Sequence, residues 1–205
     1  MDAELLNVTS KPNYSVLISS YKYIAHYPIA STTYGYNDEI HFQVENQDNF
    51  WLPCKSYITI EGKLVRAPAT SVITFAAQNA LLHLFTECKY LLNGVEVDRT
   101  RSLGPATTIK NLCSLTADEA LVLHNAGWED FGTNVTTNND RNFKACIPLE
   151  MILGFAEDYR KILLSARQEL IFTHAGNDRD ALVLGPAPPA AEGATAAEIA
   201  AAAAL

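Results

Sequence analysis

Basic residues are scarce in this chain. Only 15 Lys and Arg stand against 23 Asp and Glu over 205 residues, a formal net charge of −8. That balance excludes a broad cationic face able to neutralise a run of phosphates, so sequence-specific nucleic acid binding is not expected. Long apolar runs are also missing: nothing approaches the ~18 consecutive apolar residues of a spanning helix. The opening MDAELLNVTSKPNYS has neither a basic n-region nor an apolar h-region, so neither a membrane span nor a secretory signal is expected. Cysteine is sparse and scattered. Cys54, Cys88, Cys113 and Cys146 form no C-x₂₋₄-C pair, which argues against a zinc knuckle and for small buried hydrophobes. The five histidines, His26, His41, His83, His124 and His174, never fall as His-x-His or His-x-x-x-His, so no metal site and no cofactor are expected. Gly-x-Ser-x-Gly, the P-loop and Gly-x-Gly-x-x-Gly are likewise absent, removing the commonest routes to hydrolase and nucleotide chemistry. The Asn-x-Ser/Thr triplets at Asn7, Asn13 and Asn134 are read as chance matches to a short pattern.

What the chain does have is apolar mass, 48% hydrophobic with 19% charged residues, ordinary for a packed globular protein. Three regions follow from composition. Residues 1–36 form a Tyr-rich arm with Tyr14, Tyr21, Tyr23, Tyr27, Tyr34 and Tyr36 at irregular spacing; such rings pack only where another surface offers pockets, as in a strap across a barrel or a neighbouring subunit. Residues 37–180 carry the strand patterns, and residues 181–205 are an Ala/Pro-rich, low-complexity tail or linker.

Within the middle region, Ile40, Phe42 and Val44 alternate with polar residues, the mark of a strand with one buried face. Residues 57–65 repeat the signal between Pro53 and Pro68, and these two strands are expected to pair as neighbours. Residues 71–75 form a short third strand. Asn93-Gly94, set between two apolar runs, predicts a hairpin tip, because both residues tolerate the positive φ of a tight turn. Two short helices are expected over 106–114 and 117–125. Pro105 opens the first, and Thr116 with Glu119 makes a capping box for the second, which ends near Gly127. Residues 130–142 read as an exposed polar loop carrying Asn134 and Asn138. Then come a strand at 143–147, one helical turn opened by Pro148 and closed by Gly154, and two last strands at 159–164 and 167–174.

Two charged constellations stand out, Glu96-x-Asp98-Arg99-x-Arg101 and Glu157-Asp158-Tyr159-Arg160-Lys161. Paired carboxylates such as Glu157 and Asp158 can do acid and base work, but alternating signs at this spacing read as ion pairs within or between subunits. The whole pattern predicts an all-β fold, an antiparallel jelly-roll sandwich with short inserted helices, and a protein that is not an enzyme.

The runs Tyr57-Ile58-Thr59-Ile60-Glu61-Gly62-Lys63-Leu64 and Tyr90-Leu91-Leu92-Asn93-Gly94-Val95-Glu96-Val97-Asp98-Arg99, then Thr108-Ile109-Lys110-Asn111 with Asn125-Ala126-Gly127-Trp128, and Leu153-Gly154-Phe155-Ala156-Glu157-Asp158-Tyr159-Arg160-Lys161 carry a resemblance. They resemble the N-terminal half of double jelly-roll major capsid proteins of invertebrate-associated DNA viruses of the adintovirus and Polinton-like kind, over roughly residues 40–174. The resemblance implies a structural protein of the virion, assembled inside the host cell into an icosahedral shell. Its partners would be copies of itself, grouped as trimeric capsomers, with minor or penton capsid proteins as further neighbours. Candidate assembly contacts are Tyr21, Tyr23 and Tyr27 of the arm and Glu96, Asp98, Arg99 and Arg101 after the hairpin; Asn93, Gly94, Asn134 and Asn138 are candidates for exposed tips. The alternative is a carbohydrate- or ligand-binding jelly-roll module, with Trp51 beside Asn46, Gln47 and Asn49, or Trp128 beside the Asn-rich loop, as an aromatic platform.

Overall fold

The computed structural model describes residues 20–29, 33–45, 50–63, 72–75, 79–128, 142–178 and 180–185. Among these residues eight strands run in chain order as β1 (Glu39–Val44), β2 (Tyr57–Lys63), β3 (Val72–Phe75), β4 (Phe85–Leu92), β5 (Val95–Arg101), β6 (Asn142–Pro148), β7 (Gln168–His174) and β8 (Leu182–Gly185). Four helices, α1 (Leu103–Ser114), α2 (Ala117–Val122), α3 (Leu149–Ile152) and α4 (Gly154–Asp158), are inserted between them. The larger sheet has the order β1-β7-β4-β5, while β2 pairs with β6 and β3 with β8, every pair antiparallel. The pairing is nested: β1 meets β7 and, inside that pair in the chain, β2 meets β6. Wound in this way around one core, the chain is an all-β antiparallel jelly roll with short helical insertions.

The inner faces of the larger sheet and of the β2–β6 pair meet in one apolar cluster. Ile40, Phe85, Cys88, Tyr90 and Phe172 come from the larger sheet, Ile58, Ala145 and Ile147 from β2 and β6, and Leu81, Leu82, Leu103, Met151, Ile152 and Leu153 from the helical insertions. Phe172 lies at the centre, 1% exposed. Its ring centroid is 5.2 Å from that of Phe85 and 6.5 Å, edge-on, from that of Phe42, so one side chain ties β7 to the strands on either side of it. Opposite, the Phe143 ring covers Gly62 across the β2–β6 pair so closely that a Cβ at 62 would collide with it.

Several expectations are met in detail. Asn93 and Gly94, with φ of 51° and 79°, join β4 to β5 in a tight turn. Thr116 Oγ1 accepts from the Glu119 amide while Glu119 reaches back to the Thr116 amide, completing the capping box of α2. The end of that helical stretch falls at Gly127, φ 83°, the left-handed closure that glycine permits.

Others are corrected. β1 and β2 are not neighbours: alternation reports that a strand has a buried face, not which strand lies beside it, and the link containing the 3-10 turn Pro53–Lys55 carries the chain from one sheet to the other. Residues 159–164 make no strand. Only Leu163 pairs, as an isolated bridge to Trp51, and Tyr159 stacks on Phe155 instead. Gly154 opens α4 rather than closing a turn, and α1 begins at Leu103, where Ser102 at φ 51° redirects the chain. Cys54 and Cys88 are buried as expected, but Cys113 and Cys146 are exposed. Cys113 is on the outer side of α1, and Cys146 is the outward residue between inward Ala145 and Ile147 on β6. β8 lies inside the stretch read as tail, so sheet pairing extends past residue 180.

Replacing Phe172 with Ala removes the ring shared by Phe42 and Phe85 and is expected to cost about 3–5 kcal/mol of stability, read as a lowered urea midpoint. A loss under ~1 kcal/mol would mean that β7 is not the centre of the core.

Candidate functional site

Among the described residues β5 is an edge strand, bonded to β4 alone, and its two faces do different work. Asp98 and Thr100, half-buried, point inward. Asp98 accepts from the amides of Phe155 (2.8 Å) and Arg99 (2.7 Å), so its carboxylate holds the first turn of α4, where unpaired amides favour negative charge. The Thr100 hydroxyl donates to the Ile152 carbonyl at 3.2 Å. Phe155 is then stacked between Tyr90, at 5.3 Å, and Tyr159, at 5.0 Å. Asp98, one of the sequence-predicted contact residues, is thus an internal brace between β5 and α4.

The outward residues form an ionic cluster around Glu87 of β4. Arg99 Nε lies 2.5 Å, Lys89 Nζ 3.1 Å and Arg101 Nε 3.4 Å from the Glu87 carboxylate, and Arg99 also reaches Glu96 at 4.0 Å. The hydrogen bond from Arg99, helped by Lys89, holds the Glu87 carboxyl down to about 2. Three cations face the two carboxylates Glu87 and Glu96, so this cluster carries an excess of one positive charge in an acidic chain. Arg101 is the most solvent-exposed of the three, its side chain 72% exposed. Sequence reading found Glu96, Arg99 and Arg101 but missed Glu87 and Lys89, because the hairpin register that brings them opposite Arg101 and Arg99 joins residues about a dozen positions apart.

At the hairpin tip Gly94 is open to solvent, with no atom near the position of a Cβ. Asn93 is exposed but engaged: its amide donates to the Arg167 carbonyl (2.8 Å) and its Oδ1 accepts from the Arg167 amide (2.9 Å). Asn134 and Asn138 lie outside the described residues.

The arm runs over its own barrel. Tyr23 meets Tyr57 of β2 at 5.9 Å, His26 meets Trp51 at 5.0 Å, and the Ile29 amide donates to the His41 carbonyl of β1 at 2.9 Å. Tyr21, Tyr23 and Tyr27 nevertheless remain 89%, 70% and 76% exposed, with Phe50 and Ile29 also turned to solvent. These candidate contact residues therefore sit on one strap, away from the β5 edge.

Trp128 is buried and Trp51 half-buried. The Trp51 ring is met by His26 and its backbone is bridged to Leu163, with Asn46, Gln47 and Asn49 outside the described residues; Trp128 is in the core. Glu157, half of the paired carboxylates, is bound by Lys110 at 2.6 Å, and Arg160 Nε donates to the Glu157 carbonyl. Among the described residues no three His, Cys, Asp or Glu side chains gather as a metal would require, and no helix is long and apolar enough to cross a membrane. A small cavity of about 170 Å³ lies between β5, α1 and α3, lined by Thr100, Ala106, Thr107, Lys110, Ile152 and Gly154.

A family profile, the double jelly roll-like domain, matches residues 74–195. No curated protein sequence matches the chain. Among solved structures, the fold is similar to PBCV-1 VP54 in a crystal structure fitted into a cryo-EM reconstruction of the virophage Sputnik, at 11% identity and a TM-score of 0.44. It is also similar to a chain of a quasi-atomic model of the PBCV-1 virus capsid, at 13% identity and a TM-score of 0.42. Each alignment covers 83% of this chain and 39% of the other, so the chain spans about two-fifths of the length of those structures.

Because the Glu87 carboxyl is held at about 2 against an ordinary 4.5, it stabilises the fold above its ordinary range, and that contribution disappears as pH falls from about 4.5 to about 2. Glu87→Gln should therefore be less stable than the parent at pH 6, with the gap closing across that acid window in urea titrations. A gap that is the same at pH 6 and pH 2 would contradict the role given to Arg99.

Proposed function

The chain belongs to the double jelly roll-like domain family, and from that membership we propose that it is a structural capsid protein whose barrels assemble with copies of one another into a virus shell. The resemblance of its strand and hairpin blocks to major capsid proteins supports the same reading. So does the barrel itself, which leaves an aromatic strap and a cationic sheet edge open to solvent. The observation that carries the proposal is the family match over 74–195, joined to a nested antiparallel barrel in which Trp128 is buried and Glu157 is ion-paired. In this reading the role is mechanical rather than catalytic, the site of action is the virion, and the working unit is a trimeric capsomer with minor or penton proteins as neighbours.

A shell protein works through many weak contacts made strong by symmetry. Exposed tyrosines suit such contacts, since each buries a large rigid face and keeps a hydroxyl for a rim hydrogen bond. Tyr21, Tyr23 and Tyr27 supply that chemistry on the strap, and Glu96, Arg99 and Arg101 supply charge at the β5 edge.

Light scattering and negative-stain microscopy across concentration and salt test the proposal. Capsomer-sized oligomers, rings or closed particles are expected, with no saturable binding on a glycan array. Tyr21→Ser with Tyr27→Ser should lower the assembled fraction several-fold while leaving the melting temperature within about 2 °C, because exposed side chains add little to stability. A monodisperse monomer under every condition, or saturable sugar binding, would overturn the reading.

A further inference from the structure

We propose that the outer side of β5 on one copy docks head to tail onto the α1–α2 face of a second copy. The inference rests on the assembly reading and names the two surfaces that meet. α2 buries none of its residues in its own chain; Leu121 and Val122 are 72% and 80% exposed, and Ile109 and Leu112, three apart on α1, are turned outward as well. α1 thus carries an outward apolar pair, and Leu121 and Val122 make an exposed apolar patch on α2, of the kind that marks an interaction surface. Beside it, Asp118 and Glu119 occupy the first turn of α2, and the last turn has no basic residue.

β5 carries the complementary arrangement. Arg99 and Arg101 point outward with Lys89 alongside on β4, three cations against the carboxylates of Glu87 and Glu96. An excess of cations on one surface answers the carboxylates of the other. Both surfaces are solvent-exposed in the single copy, so neither covers the other within one chain. Net charge supplies the second argument. Copies at −8 repel one another at a distance, so contact is favoured where a locally cationic patch meets an acidic one. A contact between two different surfaces is heterologous, and it either closes into a ring or continues from copy to copy.

Charge reversal tests the pairing, using the full chain in sedimentation velocity at low and high salt. Arg101→Glu and Asp118→Lys should each raise the dissociation constant about tenfold or more. For Asp118→Lys this is the opposite of its effect on overall repulsion, since it moves the net charge toward neutrality. Circular dichroism melting checks that each variant keeps its fold, and Glu39→Lys on the opposite edge strand makes the same charge change away from both surfaces and should not weaken association. The double variant Arg101→Glu with Asp118→Lys should associate within about twofold of the parent, because every contact then pairs opposite charges again whatever the number of copies in the ring. Should the parent associate while the single reversals have no effect, or while the double variant fails to recover, the docking is wrong and the assembly reading stands. A parent that stays monomeric throughout overturns both.

Discussion

The larger sheet depends on β7. It is bonded on one side to β1 and on the other to β4, so two strands far earlier in the chain have no common neighbour without it. Phe172 concentrates that dependence, with Phe42 and Phe85 packed against it from either flank. Polar groups are arranged around the same strand: the Tyr90 hydroxyl donates to Gln168 Oε1 at 2.7 Å in the interior, a bond whose loss would leave a buried acceptor without its partner. β5 is held one step further out, through β4 by its ladder and through Asp98 by the first turn of α4.

What could be read in the sequence was what is local. The Asn93-Gly94 turn, the Thr116–Glu119 capping box and the Gly127 closure each depend on a few consecutive residues, and each lies where the pattern indicated. The inward and outward sides of β1 were equally plain, because alternation over one strand needs no knowledge of its partner. Partnership is different. β1 and β2 carry the same signal and still belong to different sheets, since pairing is decided by packing between distant segments. The same limit hid Glu87 and Lys89, which join Arg99 and Arg101 only through the hairpin register. Gly154 shows a third case: a glycine that reads as a stop becomes a start because a carboxylate from another element, Asp98, meets the amide that follows it.

The charge distribution gives the barrel two unlike sides. Glu87 gathers three cations on the outer side of the sheet edge, whereas α2 places carboxylates next to Leu121 and Val122 in open solvent. The strap is a third kind of surface, in which Lys22 is the only charged residue among residues 20–29 and tyrosine dominates. A chain with scarce basic residues has thus placed several of them together, where an even scatter would create no local attraction at all.

Nested pairing also sets an order in time. During translation β1, β4 and β5 emerge well before β7, and at about 5–20 residues per second the interval from β1 to β7 is on the order of ten seconds. Throughout it Ile40, Phe85 and Cys88 lack the strand that covers them, and the edges of β1 and β4 are open to one another's copies on neighbouring nascent chains. The β4–β5 hairpin can close early, since its turn is local, but the sheet cannot. A protein made in quantity with this topology therefore passes through a stage in which its own half-made copies are its most dangerous neighbours, and protection on or near the ribosome matters to its yield as much as the stability of the finished barrel.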